Sequence, residues 1–316
     1  MPELRFHLAG LPVAVRATAP GALDDLWPRY RDFPTTAAPA LTIDIERVDG
    51  FDRERGPEYP AFRRTALADG SLRVERFDAE GEVTTGDLPI AARFRVGPSL
   101  NSLEACVRIA ASLALPRIGA LVLHASSVEH GGRAQVFTGP SGAGKSTISS
   151  MLADAYPTCR KLTDELTILR RADAGWEVYV PPFLSPADLP WGAAAPLASI
   201  HVLVQAPVHA RDPLTVGAAL PELLRQVLVY VGEPRTAQLV LGLAADLVAD
   251  VTVDRLRFRK DAAVAAVLGI TAAPPAAPGS STDAAGPAVD APSAGRYPAD
   301  LGRGSVADPA TPEESP

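Results

Sequence analysis

The stretch Gly139-Pro140-Ser141-Gly142-Ala143-Gly144-Lys145-Ser146-Thr147 decides how this chain is read, because it fits glycine, four residues, glycine, lysine and a hydroxyl residue. Its three glycines let backbone N–H groups turn inward around phosphate oxygens, which a chain with Cβ atoms throughout does only under strain. In that arrangement Lys145 reaches the β and γ phosphates of a nucleoside triphosphate, and the Ser146 hydroxyl meets Mg2+. A helix starting near Lys145 adds the positive end of its dipole. The flanks fit this reading: Ala134-Gln135-Val136-Phe137 reads as a strand and Ile148-Ser149-Ser150-Met151-Leu152-Ala153 as a helix. The competing reading is a glycine-rich turn that matches the pattern by chance.

Just upstream, Leu121 to Glu129 is a strongly apolar run, followed by a turn at His130-Gly131-Gly132. The loop is therefore expected to hang from a β-hairpin, which points to a mixed sheet with antiparallel pairing. Downstream, Asp164 to Arg170 and Trp176 to Val180 read as a second hairpin around Ala172-Asp173-Ala174-Gly175, and Leu197 to Gln205 as an apolar strand. Helices are expected near Leu220 to Tyr230, Thr236 to Leu247 and Asp261 to Leu268, with a strand from Val251 to Phe258. Before the hairpin, Ser99 or Asn101 caps a helix that sets Leu103, Cys106, Val107, Ala110, Leu113 and Ala114 on one face, ended by Pro116 and Gly119.

The first hundred or so residues alternate apolar and polar, as in Leu41-Thr42-Ile43-Asp44-Ile45, with Pro60, Asp69-Gly70 and Glu80-Gly81 at turns. From Thr271 the chain is mostly Ala, Pro, Gly and Ser, a composition too poor in large apolar groups to order itself. The expected organisation is a mixed α/β protein: a β-rich module over 1–98, a P-loop nucleotide-binding domain with a partly antiparallel sheet over 99–270, and a disordered tail over 271–316.

Composition narrows the function classes. The 316 residues carry a net charge of −7, which gives no basic face for nucleic acid, and 47% hydrophobic content is ample for a core. No run approaches the ~18 apolar residues of a membrane helix, and the first residues do not resemble a leader, so the cytoplasm is the default location. Cys106 and Cys159 cannot build a disulfide framework, which suits a reducing compartment.

A phosphate loop needs an acidic element beside it, and Leu162-Thr163-Asp164-Glu165-Leu166 supplies one at the head of an apolar strand. A carboxylate there holds Mg2+ beside Ser146 or takes the proton of an attacking hydroxyl; the alternative is a pair of solvated turn acids. His124 ends the apolar part of the hairpin strand, where it either approaches the γ-phosphate or is a core histidine satisfied by backbone. Arg225, Arg235, Arg255, Arg257 and Arg259 could each offset charge on a transferring phosphoryl group, and spacing does not choose among them.

Taken together, Leu123-His124-Ala125-Ser126, the loop Gly139 to Thr147, and Thr163-Asp164-Glu165 resemble the HPr kinase/phosphorylase-like proteins of the phosphoenolpyruvate carboxykinase-like P-loop branch. The resemblance spans roughly Leu121 to Gly269, with the sharp motifs between Leu123 and Leu169. It implies an ATP- and Mg2+-dependent kinase in which His124 lies near the transferred phosphate. Asp164 then serves as base and acid for the acceptor hydroxyl, and Glu165 stands where a second Asp would be. It also points to a homo-oligomer and to ATP over GTP. Two features depart from the family: Asp164-Glu165 replaces Asp-Asp, and an Arg-Gly-Leu-Gly type segment is missing where Val180-Pro181-Pro182-Phe183-Leu184-Ser185-Pro186 stands. HPr is therefore not the expected acceptor.

Two functions remain at this level. One is a kinase moving the γ-phosphoryl group to a hydroxyl of a peptide, small protein or metabolite, with Asp164 as base and Lys145 and Ser146 as phosphate and metal anchors. The other is a nucleotide-binding regulatory or assembly protein without phosphotransfer. Transporter ATPases share only the loop, since no Leu-Ser-Gly-Gly type signature follows it. Guanylate kinases carry the loop near the start of the domain, whereas 138 residues precede it here.

Overall fold

A computed structural model describes residues 1–51, 62–183, 194–230 and 232–271. Pro60, Leu184 to Pro186 and all but the first residue of the expected tail lie outside the described residues. The described residues form one compact unit. It is mixed α/β and built on two sheets, both mixed.

The alternating N-terminal pattern makes seven strands: β1 (Glu3–Leu8), β2 (Leu11–Ala17), β3 (Leu41–Arg47), β4 (Arg63–Ala66), β5 (Leu72–Glu75), β6 (Ala79–Val83) and β7 (Ile90–Val96). A single helical turn, α1 (Trp27–Tyr30), lies between β2 and β3. The sheet order is β1-β2-β3-β7-β6-β5-β4, with β2 parallel to β3 and β3 parallel to β7. Strict alternation along β7, buried at Ile90, Ala92, Phe94 and Val96, leaves one face for the core and one for solvent.

Helix α2 (Leu100–Ala114) covers the core face, packing on β3, β6 and β7. Ser99 is its cap: its hydroxyl accepts the Ser102 N–H at 3.1 Å, the expected satisfaction of an orphan donor. The one-sided helix read from the sequence is corrected here, because 11 of its 15 residues are buried. Its second face turns to Val122, Leu166 and Ile168 of the other sheet and to Phe183, outside any strand, which share one core with the first sheet. A helix between two sheets has no solvent face, so its pattern loses the usual polar stripe.

The second sheet contains β8 (Ala120–His130), β9 (Arg133–Thr138), β10 (Cys159–Thr163), β11 (Leu166–Ala172), β12 (Gly175–Tyr179), β13 (Ala194–Gln205), β14 (Ala210–Pro213) and β15 (Thr252–Phe258). β8 and β9 form the expected antiparallel hairpin, turning at Gly131-Gly132. β9 then runs parallel to β13, and β13 parallel to β15, so the loop leaves the C-terminal end of a parallel strand inside a mixed sheet. Helix α3 (Lys145–Ala155) and the short α6 (Val264–Val267) cover one face, around Phe137, Leu203, Leu256 and Phe258. Helices α4 (Val216–Leu224) and α5 (Pro234–Asp250) cover the other, where Val240, Ala244, Leu247 and Val248 form the apolar stripe of α5.

The helix expected over Leu220 to Tyr230 is also corrected. α4 starts earlier, after Thr215, tolerates Pro221 inside it and ends at Leu224; a turn at Arg225-Gln226 then leads to Val227, which bridges Leu123 antiparallel. There the His124 N–H donates to the Gln226 carbonyl and the Leu228 N–H to the Val122 carbonyl, both at 2.8 Å. The edge of β8 needs backbone partners, and the β-branched Val227 and Val229 favour supplying them over another helical turn.

Below the loop, Ser199, His201 and Asp254 form a relay. Ser199 Oγ lies 2.9 Å from His201 Nε2, and His201 Nδ1 lies 2.6 Å from Asp254 Oδ1. Their exposures of 7%, 0% and 1% leave no room for a reactant, so the relay ties β13 to β15. Burial lowers the His201 pKa, and Arg211 pairs with the remaining Asp254 oxygen. Among the described residues no helix is long and apolar enough to cross a membrane.

Candidate functional site

The glycine-rich loop joins β9 to α3 and faces a cleft of about 360 Å3. Ser141, Gly142, Gly144 and the first three residues of α3 line it from the loop side; His124 and Lys260 line it from elsewhere. Gly144 is the position that requires glycine. Its φ of +106° is a conformation L side chains rarely adopt, and a Cβ there would lie 2.9 Å from Cζ of the buried Phe258. Gly144→Ala is thus expected to lower the unfolding free energy by about 1–3 kcal/mol, or roughly 2–4 °C in Tm for each kcal/mol. Thermal unfolding followed by circular dichroism checks this, and an unchanged Tm would show that the loop does not hold this conformation.

The loop is tied down on several sides. Gln205 Nε2 donates to the Gly142 carbonyl at 2.8 Å, and Ser126 Oγ on β8 to the Lys145 carbonyl at 2.7 Å. Thr138 Oγ1 donates to the His124 carbonyl at 3.1 Å, locking the hairpin at the level of the loop. The Lys145 ammonium is buried and donates to the loop's own carbonyls, Gly139 at 2.9 Å and Pro140 at 3.1 Å. Burial lowers its pKa, and the negative charge of Glu165 opposes that shift.

Asp164 and Glu165 interrupt what would otherwise be one strand along β8. Thr163 pairs with Ser127 and Leu166 with His124, so the two acids fall level with Ser126 and Ala125. A buried hydroxyl chain, Ser127 to Thr163 to Thr167 and on to the Ala125 carbonyl, fixes the interruption from behind. Asp164 Oδ2 lies 2.8 Å from Lys161 Nζ, which also donates to Ser150 Oγ at 3.0 Å. Ser150 is one helical turn beyond Ser146, so this pair holds Asp164 beside the α3 face that starts with Ser146. Glu165 is exposed, and its charge raises the pKa of both His124 and Lys145.

His124 is half-buried and stands on β8 between β11 and the Gln226 to Leu228 segment. Burial first, then the Lys145 charge, lowers its pKa against the pull of Glu165, which favours a neutral ring able to accept a hydrogen bond. Among the described residues no three His, Cys, Asp or Glu side chains gather as a metal cluster. The donors present, a serine hydroxyl and neighbouring carboxylates, suit Mg2+, a hard cation that takes one or two carboxylates and completes its shell with phosphate and water oxygens.

The five arginines do not line the cleft. Arg225 and Arg255 pair with Glu222, Arg235 with Asp87, Arg257 with Asp212 and Arg259 with Asp261. Lys260 was missed by the sequence reading. It follows β15 in a turn, and only the parallel pairing of β9, β13 and β15 brings that turn to the loop. Gln205, at the end of β13, was missed for the same reason.

Fold and cleft together define a mixed α/β protein in which a glycine-rich turn feeds a helix N-terminus beside an acidic pair. No family model matches the chain, and no curated protein matches it. Among solved structures it has a distant structural relation to the Hpr(Ser) kinase/phosphatase from Coxiella burnetii, at 11% sequence identity and a TM-score of 0.27, covering 47% of this chain and 92% of that one.

Proposed function

We propose that this protein is an ATP- and Mg2+-dependent kinase that transfers the γ-phosphoryl group to a hydroxyl of a peptide, small protein or metabolite. The observation that carries the reading is the loop Gly139 to Thr147, which opens α3 onto a cleft shared with His124 and is flanked by Asp164 and Glu165. Loop N–H groups and the start of α3 bind the phosphates, and the Lys145 ammonium moves from the Gly139 and Pro140 carbonyls to phosphate oxygens. Ser146, with Asp164 and Glu165 nearby, would hold Mg2+, which supplies neutralisation of charge on the β and γ oxygens. Asp164 takes the proton of the acceptor hydroxyl as its oxygen bonds to the γ-phosphorus. The bond from that phosphorus to the β,γ-bridging oxygen breaks, and the electron pair leaves with ADP. Neutral His124 accepts a hydrogen bond at the edge of the reacting group. In this reading residues 99–270 carry the chemistry, and the module over 1–98 is free to select the acceptor.

The test is transfer of label from γ-labelled ATP, with Mg2+, to peptide, small-protein and metabolite fractions. Label on an acceptor carries the kinase reading. Nucleotide binding with no labelled acceptor in any fraction turns the reading to a regulatory or assembly protein.

A further inference from the structure

Lys260 stands in the turn between β15 and α6, and its surroundings fix where that turn points. Phe258, the last residue of β15, is fully buried under Gly144. Beyond it, Arg259 pairs with Asp261. Asp261 also lies 2.8 Å from His209 Nε2 and accepts the Ala263 N–H at 3.0 Å as α6 begins. Asp261 is therefore held to His209 and to the start of α6, and Arg259 to Asp261, while Lys260 itself lines the cleft with His124, Ser141 and Ser146.

The charges around the cleft are arranged unevenly. The Lys145 ammonium is committed to the loop carbonyls, and each of the five downstream arginines is neutralised by a carboxylate. Among the described residues no carboxylate forms an ion pair with Lys260. A lysine is a compact charge on a flexible four-carbon stem, so it can follow a phosphate oxygen that a rigid guanidinium fork would have to meet in one geometry. A triphosphate seated on the loop N–H groups and the start of α3 would turn the outer oxygens of its terminal phosphate toward the walls that carry His124 and Lys260.

We propose that Lys260 binds the terminal phosphate of a nucleoside triphosphate from the wall contributed by the β15–α6 turn, and so makes the cleft prefer a triphosphate to a diphosphate. This rests on the nucleotide reading of the cleft. A charged contact made only by the third phosphate strengthens triphosphate binding alone, since a diphosphate seated on the same loop ends short of it.

Isothermal titration of the full chain with Mg2+ and either the β,γ-imido analogue of ATP or ADP tests this in wild type, Lys260→Ala and Lys260→Arg. Lys260→Ala is expected to weaken the ATP analogue about tenfold and leave ADP within about twofold, with Lys260→Arg, which keeps the charge but not the flexible stem, recovering only part of the loss. Because Lys260 is exposed, the variants should fold, and matching thermal transitions check this. Equal weakening of both nucleotides, or of neither, overturns the inference while the nucleotide reading stands. An effect confined to the KM of the acceptor also overturns it and assigns Lys260 to acceptor binding. A wild type that binds neither nucleotide overturns the reading of the cleft and this inference with it.

Discussion

Asp164→Asn is expected to lower phosphoryl transfer about 10²–10⁴-fold, the usual contribution of a positioned general base, while Mg2+-nucleotide affinity falls far less, since Glu165 and Ser146 remain beside the metal. Asn has the same shape and keeps hydrogen-bonding capacity toward Lys161, but it cannot take a proton from the acceptor hydroxyl. The Asp164 and Lys161 side chains are only 26% and 11% exposed, so Asn leaves a largely buried ammonium short of its counter-charge, and the thermal transition of the variant is measured beside its activity. Loss of activity through unfolding is thus separable from loss of chemistry. Single-turnover transfer from labelled ATP is the measurement. Transfer at the wild-type rate would remove Asp164 from the mechanism and move attention to Glu165, whose charge already bears on His124 and Lys145.

Lys145→Ala is expected to reduce turnover on the order of 10²–10³-fold, as removal of one preorganised charge-stabilising donor does elsewhere, and to weaken nucleotide binding at the same time. Two effects compete in its stability. The loop loses two bonds from an ammonium to the Gly139 and Pro140 carbonyls, charged contacts that contribute about 1.5–3 kcal/mol in favourable cases. Against that, a buried ammonium whose pKa is lowered by desolvation no longer has to be kept out of water. The two offset, so the change in Tm should be modest while the change in function is large. Comparing Tm with labelled-nucleotide binding distinguishes these. A variant that binds nucleotide normally would show that Lys145 serves the loop and not the phosphates.

How much was legible depended on the range of the interactions concerned. The loop, its flanking strand and α3 were readable because glycine spacing, apolar alternation and helical periodicity act within about a dozen residues. The hairpin of β8 and β9 was readable for the same reason, since Gly131-Gly132 marks a short antiparallel turn. The burial of α2 on both sides was not, because its partners Val122 and Ile168, from the second sheet, and Phe183, from the bend after β12, all come later in the chain. Nor were the early end of α4 at Leu224 and the bridge at Val227 that follows, where the demand of β8 for backbone partners outweighed a helical pattern.

The site divides along the same line. The sequence by itself determined the glycine-rich loop, the helix that follows it, the antiparallel hairpin that carries it and the acidic pair Asp164-Glu165. Each of these is written in adjacent residues and their backbone preferences. The tertiary structure alone decided that Lys161 and Ser150 hold Asp164 along α3, and that Glu165 acts on His124 and Lys145. It also decided that five arginines are spent on surface carboxylates while Lys260 faces the cleft. The approach of Lys260 to the loop follows from parallel pairing of β13 with β9 and β15, whose partner residues Gln135, Ser199 and Thr252 stand far apart in the chain, and such pairing leaves no local spacing in the sequence to read.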